Sequence, residues 1–298
     1  MNQLTQGAYA SKGLNVKEIA GITQLHSMCN DHDQIQIKIN QDSLNNRPAD
    51  QIHDFIHVED GKVVGFLGLY IFNNKEVEIS GMVDPAFRRS GIFTNLLTMA
   101  EEEIRNRKIP KMIFMCQEHS HTGKAFLESI GATYSFSEYW MQWNETYGIK
   151  KIIQPRIALR NATIDDLPFI MKADTECFNE IEGEISRKFA IDCIEGPSQH
   201  VEIALVDNQP IGKIAVMLIP ERAFIFAFAV LPEFQGKGYG SEILQTVVCD
   251  LQKHLPSKIE LEVATENVNA LSLYRRCGFE VQSANLYYIK QSDVAKQA

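Results

Sequence analysis

The chain has 298 residues, 45% hydrophobic and 22% charged, which supports one large or two ordinary globular domains with a real core. A net charge of −9 argues against nucleic acid as a partner, because neutralising phosphate requires a basic face. The longest apolar stretches, such as residues 223–231, are strand-sized and fall well short of the roughly 20 residues of a membrane helix.

The first nine residues are polar and show no basic and apolar leader. Cys29, Cys116, Cys177, Cys193, Cys249 and Cys277 are scattered without CxxC or metal-ligand spacing. They are expected to be reduced thiols in a cytoplasmic protein with no metal and no membrane partner. Asn15-Val16-Lys17-Glu18 reads as a helix opening, followed by Ile19, Ile22 and Leu25 on one face. Residues 52–58 and 63–71 then flank a turn, and 77–83 form a further strand. His53 and His57 stand at same-face spacing on the first of these, but with no third ligand nearby they are read as surface or core histidines, as are the loop residues His119 and His121. The run Tyr139-Trp140-Met141-Gln142-Trp143 alternates like a sheet strand, and packing against the second half of the chain is expected.

Residues 147–156, with Gly148 and Pro155, read as a boundary. Beyond them residues 157–160 form a strand, and Thr163-Ile164-Asp165-Asp166 reads as a capping box opening a helix that buries Leu167, Ile170, Met171 and Phe178. Strands follow at 202–206, 211–218 and 224–230. Next comes a Gly-rich turn and a helix carrying Ile243, Leu244, Val247, Val248 and Leu251 at 3.6-residue spacing. A strand at 259–264 and a helix at 268–276 complete the order.

The two halves repeat. An offset of 147 pairs Gly65 with Gly212, Val83 with Val230, Pro85 with Pro232, Phe87 with Phe234, Gly91 with Gly238 and Gly131 with Gly278. The register holds without a gap over about residues 57–132, which marks a tandem duplication. The expected fold is therefore α/β with two tandem domains, 1–150 and 151–298, each a mixed, mostly antiparallel sheet flanked by helices.

The turn Gln235-Gly236-Lys237-Gly238-Tyr239-Gly240-Ser241 joins a strand to a helix. Glycines let successive N–H groups point into one concavity, and the helix N-terminus adds unpaired donors, a combination suited to a diphosphate. It is not a P-loop, because the Lys precedes the second Gly, and it lacks the Gly-x-Gly-x-x-Gly spacing of a dinucleotide fingerprint. Pro-x-x-Gln-Gly-Lys-Gly-Tyr-Gly resembles the acyl-CoA motif of the GNAT superfamily of N-acetyltransferases. Downstream, Asn267-Val268-Asn269-Ala270-Leu271-Ser272-Leu273-Tyr274 leading to Gly278-Phe279 is similar to that family's second motif. The resemblance covers most of 157–290 and, weakly, 13–143.

The resemblance implies acetyl-CoA as co-substrate, bound by the amides of Gln235–Ser241, by the splayed strand end Phe228, Ala229 and Val230, and by Asn267. It implies Tyr274 as the general acid that protonates the departing thiolate. A phenol of pKa ~10 acting on a thiol of pKa ~8.5 is uphill by ~2 kcal/mol, so hydrogen-bond donation in the transition state suffices. The acceptor implied is a small-molecule or peptide amine. The base is not obvious, because residues 224–229 hold no carboxylate. Glu262, which shares a strand face with Glu260, is the candidate catalytic base, and Glu180 and Glu182, clustered with Glu184, are candidates for the substrate loop. At the same offset the first copy has Leu127 for Tyr274, Ser120 for Asn267 and Phe93 for Gly240. That copy is expected to be degenerate, although Arg88-Arg89-Ser90-Gly91 preserves a phosphate-binding turn. The alternative reading is a module that senses acyl-CoA without turnover.

Overall fold

The computed structural model describes residues 4–39, 41–71, 74–147, 156–178, 183–219, 221–253 and 257–293. In chain order the elements are β1 (Gly7–Lys12), α1 (Val16–Asp33), α2 (Gln41–Asn45), β2 (Ile52–Glu59), β3 (Lys62–Tyr70), β4 (Glu76–Val83), α3 (Ile92–Asn106), β5 (Lys111–Gln117), α4 (His121–Ser129) and β6 (Thr133–Trp143). The series repeats as β7 (Ala158–Asn161), α5 (Leu167–Phe178), α6 (Glu184–Glu195), β8 (Gln199–Val206), β9 (Gln209–Ile219), β10 (Arg222–Val230), α7 (Tyr239–Lys253), β11 (Lys258–Ala264), α8 (Val268–Arg276) and β12 (Phe279–Gln291). No helix among the described residues is long and apolar enough to cross a membrane.

The chain forms two compact units, Met1–Ser137 with Asn285–Ala298, and Glu138–Ala284. Each unit thus holds most of one copy and the closing strand segment of the other. In unit one the strand order is β1-β2-β3-β4-β5, and β5 pairs antiparallel with Asn285–Gln291 of β12. In unit two β11 pairs antiparallel with Glu138–Gln142 of β6, and the order continues β11-β10-β9-β8-β7. The aromatic run of β6 is therefore a sheet strand of unit two, with Trp140 opposite Glu262. One pair in each unit is parallel, β4 with β5 and β10 with β11, so both sheets are mixed.

Local chemistry explains the helix starts. Asn15 accepts from the Lys17 and Glu18 N–H groups while the Glu18 carboxylate accepts from the Asn15 N–H. The Thr163–Asp166 box likewise forms, but it opens a 3-10 turn, and α5 begins only at Leu167. Arg160 pins Asp166 with two hydrogen bonds of 2.7 and 2.6 Å. Leu167, Ile170 and Met171 are buried as expected, whereas Phe178 is 42% exposed. It is the last residue of α5. In α7 all five residues of the predicted stripe are buried. Those residues pack with Ile259, Leu261 and Val263 of β11 and with Leu271 and Tyr274 of α8. The other face of the unit-two sheet packs against α5 and α6 through Val201, Ile203 and Ala215.

Candidate active site

β10 and β11 pair only from Arg222–Lys258 to Ile225–Leu261. Beyond that point β11 stays bound to β6, and β10 continues along β9 to Val230, so the two strands part into a cleft. Between Phe226 and Ala229 β10 carries a bulge, and Ala227 there has a φ of 46°, a left-handed backbone on a residue with a Cβ. Bulges and such outliers re-aim a strand and are concentrated at functional sites. No residue pattern in this stretch announces the bulge.

At the mouth of the cleft the chain makes a 3-10 turn at Pro232–Phe234 and then the glycine turn. Gly236 and Gly238 have φ of 74° and 87°, a region where side chains are strained. Gly240 has a different reason: a Cβ there would stand 3.3 Å from Leu273 Cδ2, where α7 comes close to α8. The first-turn amides of α7, from Tyr239 through Ser241, have no intrahelical acceptor and lie at the positive end of the helix dipole. Gln235 is spent internally, because its Nε2 donates to the Val230 carbonyl at 2.8 Å. The Ser241 hydroxyl lies 3.4 Å from Cys277 Sγ. Lys237 extends over the Phe234 ring at 5.3 Å.

Two residues that motif reasoning did not single out hold this turn. Arg156 donates through its N–H and its guanidinium to the buried Glu242 carboxylate, with Nε to Oε2 at 3.0 Å. Its two terminal nitrogens also reach the Lys237 carbonyl at 3.3 Å, and the guanidinium lies 4.8 Å from the Tyr239 ring centroid. A charged residue in the first turn of a helix with an arginine across the boundary segment was the available signal.

Tyr274 lies buried in α8, its ring 6.5 Å from Phe228 and 6.1 Å from Phe279. Burial, with a smaller contribution from Cys277, pushes its phenol up to about 12. Its hydroxyl has no hydrogen-bond partner among the described residues. Asn267 caps α8, accepting from the Ala270 N–H at 3.1 Å, while its amide group stays exposed. Gly278 ends the helix region with φ of 91°, and Phe279 returns to the core. Phe228 and Val230 flank Gly240 on the cleft side, and Ala229 is buried.

Glu262 is half-buried on β11. Its neighbours Leu261 and Val263 enter the α7–α8 core with Tyr274, so alternation places Glu260 and Glu262 on the other sheet face. Glu260 is tied to Arg222, with 2.9 Å from Nε and 2.6 Å from the terminal nitrogen. Glu180 and Glu182 lie outside the described residues, while Glu184 is the first residue of α6.

Unit one has the same parting: β4 and β5 pair only through Ile79–Phe114. Its turn keeps left-handed Arg89 and Gly91, with φ of 62° and 84°. Arg88 stands where unit two has Gln235 and likewise donates to the strand-end carbonyl, that of Val83, at 3.1 Å. A cavity of about 440 Å³ follows, walled by Ile79, Gly81, Phe93, Phe114, Phe126 and Leu127. The histidines have ordinary partners, His53 with Arg107 at 2.9 Å and His57 with Glu59 at 2.8 Å.

The family model described as "Acetyltransferase (GNAT) family" matches residues 21–132 and again 167–279. The chain is 26% identical over 101 residues to a [ribosomal protein bS18]-alanine N-acetyltransferase of Escherichia coli, covering 34% of this chain and 68% of that protein. It is 22% identical over 128 residues to a putative enzyme of the same description from Bacillus subtilis, covering 43% of this chain and 83% of that protein. Among solved structures it resembles a GCN5-related N-acetyltransferase from Sphaerobacter thermophilus, with a TM-score of 0.78, 18% identity and 97% of each chain covered. It also resembles a tandem GNAT protein from the clavulanic acid biosynthesis pathway, with a TM-score of 0.76, 16% identity, and 96% and 98% covered. Two consecutive matches, on two copies that each part a parallel strand pair above a glycine turn, identify the chain as an acetyltransferase of the GNAT family.

Proposed function

We propose that residues 151–298 form the catalytic copy, transferring acetyl from acetyl-CoA directly to a primary amine, and that residues 1–150 form a degenerate copy. The observation that carries this is the presence together in unit two of a left-handed glycine turn, a strand edge freed where β10 parts from β11, and a buried tyrosine packed beside Phe228 of that strand. Acetyl-CoA, when bound, supplies an acetyl group activated as a thioester.

The chain's own residues fit it. The amides of Gly236–Ser241 receive a diphosphate, and the unpaired edge of Phe228–Val230 offers backbone groups to the amide-bearing arm. Asn267 reaches the same arm from the end of α8. Tyr274 holds its proton across the physiological range and donates it toward the leaving sulfur. Glu262, through a water relay across the parted strands, receives the amine proton, and Glu180 and Glu182 are assigned to acceptor binding. The surplus of acidic side chains, a net charge of −9, is compatible with a cationic acceptor.

The test is release of free thiol from acetyl-CoA across amines, amino acids, polyamines and peptides with a free N-terminus. Turnover with one class supports the reading; binding of CoA without release for any acceptor supports the sensor instead. The unit-one cavity favours a second site of that kind. Leu127 and Ser120 replace the proton donor and the cap there, so that copy would hold acyl-CoA without turnover. Calorimetric titration separates the two, giving two CoA equivalents per chain if unit one binds and one if it does not.

A further inference from the structure

Unit two carries a second cavity, of about 270 Å³, on the α5–α6 face of its sheet. Its walls include Phe178, Phe189, Cys193, Asp174, Lys213 and the bulge residue Ala227. Ala227 lies just beyond Ile225, the last residue of β10 that pairs with β11, so the cavity borders the point where the two strands part.

Its floor is unusual. Lys213, on β9, is only 4% exposed, and its ammonium meets Asp174 Oδ1 of α5 at 2.5 Å. An ammonium has three donors and a carboxylate two acceptor oxygens. Among the described residues Lys213 has no acceptor besides Asp174, and Asp174 no donor besides Lys213. The leftover donors and the second oxygen belong to a side-chain pair that lines the cavity. The first copy shows that the fold does not require this pair. At the offset of 147 Lys213 corresponds to Phe66, a wholly buried ring packed with Ile22, Leu25 and Cys29. Replacing a buried ion pair by apolar residues is commonly neutral or stabilising, so stability does not account for it. Above the pair, Phe178 and Phe189 are 42% and 56% exposed, and Phe189 rests 6.4 Å from Phe226.

We propose that this cavity is the acceptor pocket and that the acceptor is a free α-amino acid with an apolar side chain. This rests on the acetyltransferase reading above and names its substrate class. The acceptor carboxylate takes the spare donors of Lys213, its amine is held by the free oxygen of Asp174, and its side chain lies against Phe178 and Phe189. A zwitterion meets a zwitterionic pair with each charge opposed. A peptide N-terminus has an amide in place of that carboxylate, and a simple amine has nothing, so each leaves Lys213 facing no anion.

The experiment uses the full chain with acetyl-CoA and four acceptors: L-phenylalanine, L-phenylalaninamide, phenethylamine and a tetrapeptide beginning with alanine. Thiol release is followed together with calorimetric binding of each acceptor in the presence of CoA. Phenylalanine is expected to exceed the other three at least 30-fold in kcat/KM, with the difference in KM. In the charge-balanced variant Asp174→Asn/Lys213→Met the ratio of KM values for phenethylamine and phenylalanine falls to within threefold of one. The comparison on the unaltered protein stands even if that variant does not fold. Equal or better turnover of the amide, the amine or the peptide overturns the proposal while leaving the acetyltransferase reading intact. Carboxylate-dependent binding of phenylalanine with thiol release from none of the four overturns the assignment of a free amino acid as acceptor. Absence of both overturns the pocket.

Discussion

Tyr274→Phe removes one oxygen from a ring packed between Phe228 and Phe279, so its effect on rate isolates the hydroxyl. The structure sharpens what that hydroxyl can do. With the phenol pushed up to about 12 and a thiol near 8.5, complete proton transfer is uphill by roughly 5 kcal/mol. That is more than twice the ~2 kcal/mol of an unperturbed phenol. Donation of a hydrogen bond to the sulfur as its charge develops is the cheaper course. Hydrogen bonds to charged groups contribute about 1.5–3 kcal/mol, or about 10- to 150-fold in rate. The variant is therefore expected to lose about 100-fold in kcat, with the calorimetric affinity for acetyl-CoA changed less than threefold. In the parent enzyme, Tyr274 ionisation produces no fall in kcat up to pH 10, because a group with pKa about 12 keeps its proton there. A variant with parental kcat would refute the assignment of Tyr274 as the acid.

Gly238→Val places a β-branched side chain at φ 87° with its Cβ 3.3 Å from the Arg156 guanidinium. Strain of about 1–2 kcal/mol is expected to weaken CoA binding about tenfold by calorimetry, and unchanged affinity would remove this turn from the diphosphate site. A fragment of residues 151–298 loses the β6 segment that pairs with β11 and leaves the end of β12 without β5. It is expected to aggregate or lack a cooperative melt in circular dichroism, since the exposed sheet edge is unpaired; a monomeric fragment with a sharp transition would count against the strand exchange. His53 accepts from Arg107 at 2.9 Å, and desolvation, with the charges of Arg47 and Arg107, lowers its pKa to about 4. The unfolded chain binds that proton near 6.5, so the contribution is present above pH 6.5 and is lost as pH falls toward 4. The gap in melting temperature between the parent and His53→Leu should narrow over that window, and a constant gap would refute the neutral, Arg-bound histidine.

Much of the fold was legible because it rests on local periodicity. The stripe on α7, the alternation of β6 and the cap at Asn15 are set by residues within a turn of one another. The elements that escaped notice lack such patterns. α6 buries only Ala190 and Cys193 while Ile185 and Phe189 stay exposed, so it shows no wide apolar stripe. The exchange of closing strands was hidden for a different reason. The alternation of β6 suggests packing against the second half, but the strand after Phe279 went unread, and nothing local says that it joins β5.

The candidate site divides along the same line. Its cofactor half is a motif, because a backbone turn that presents N–H groups needs glycine at fixed positions and leaves a visible signature. The acceptor half proposed for it draws on single residues of α5, α6, β9 and β10, far apart in sequence and brought together only by folding. Asp174 lies 39 residues before Lys213, each ordinary where it stands, and the bulge that lines their cavity is centred on a plain alanine. The offset of 147 makes the pair visible afterwards, because it sets Lys213 against Phe66 and shows that one copy solved the same packing position with a ring. A duplicated chain thus carries its own reference. Where the two copies differ at a buried position, the apolar one reports what the fold needs, and the charged one points to what the site binds.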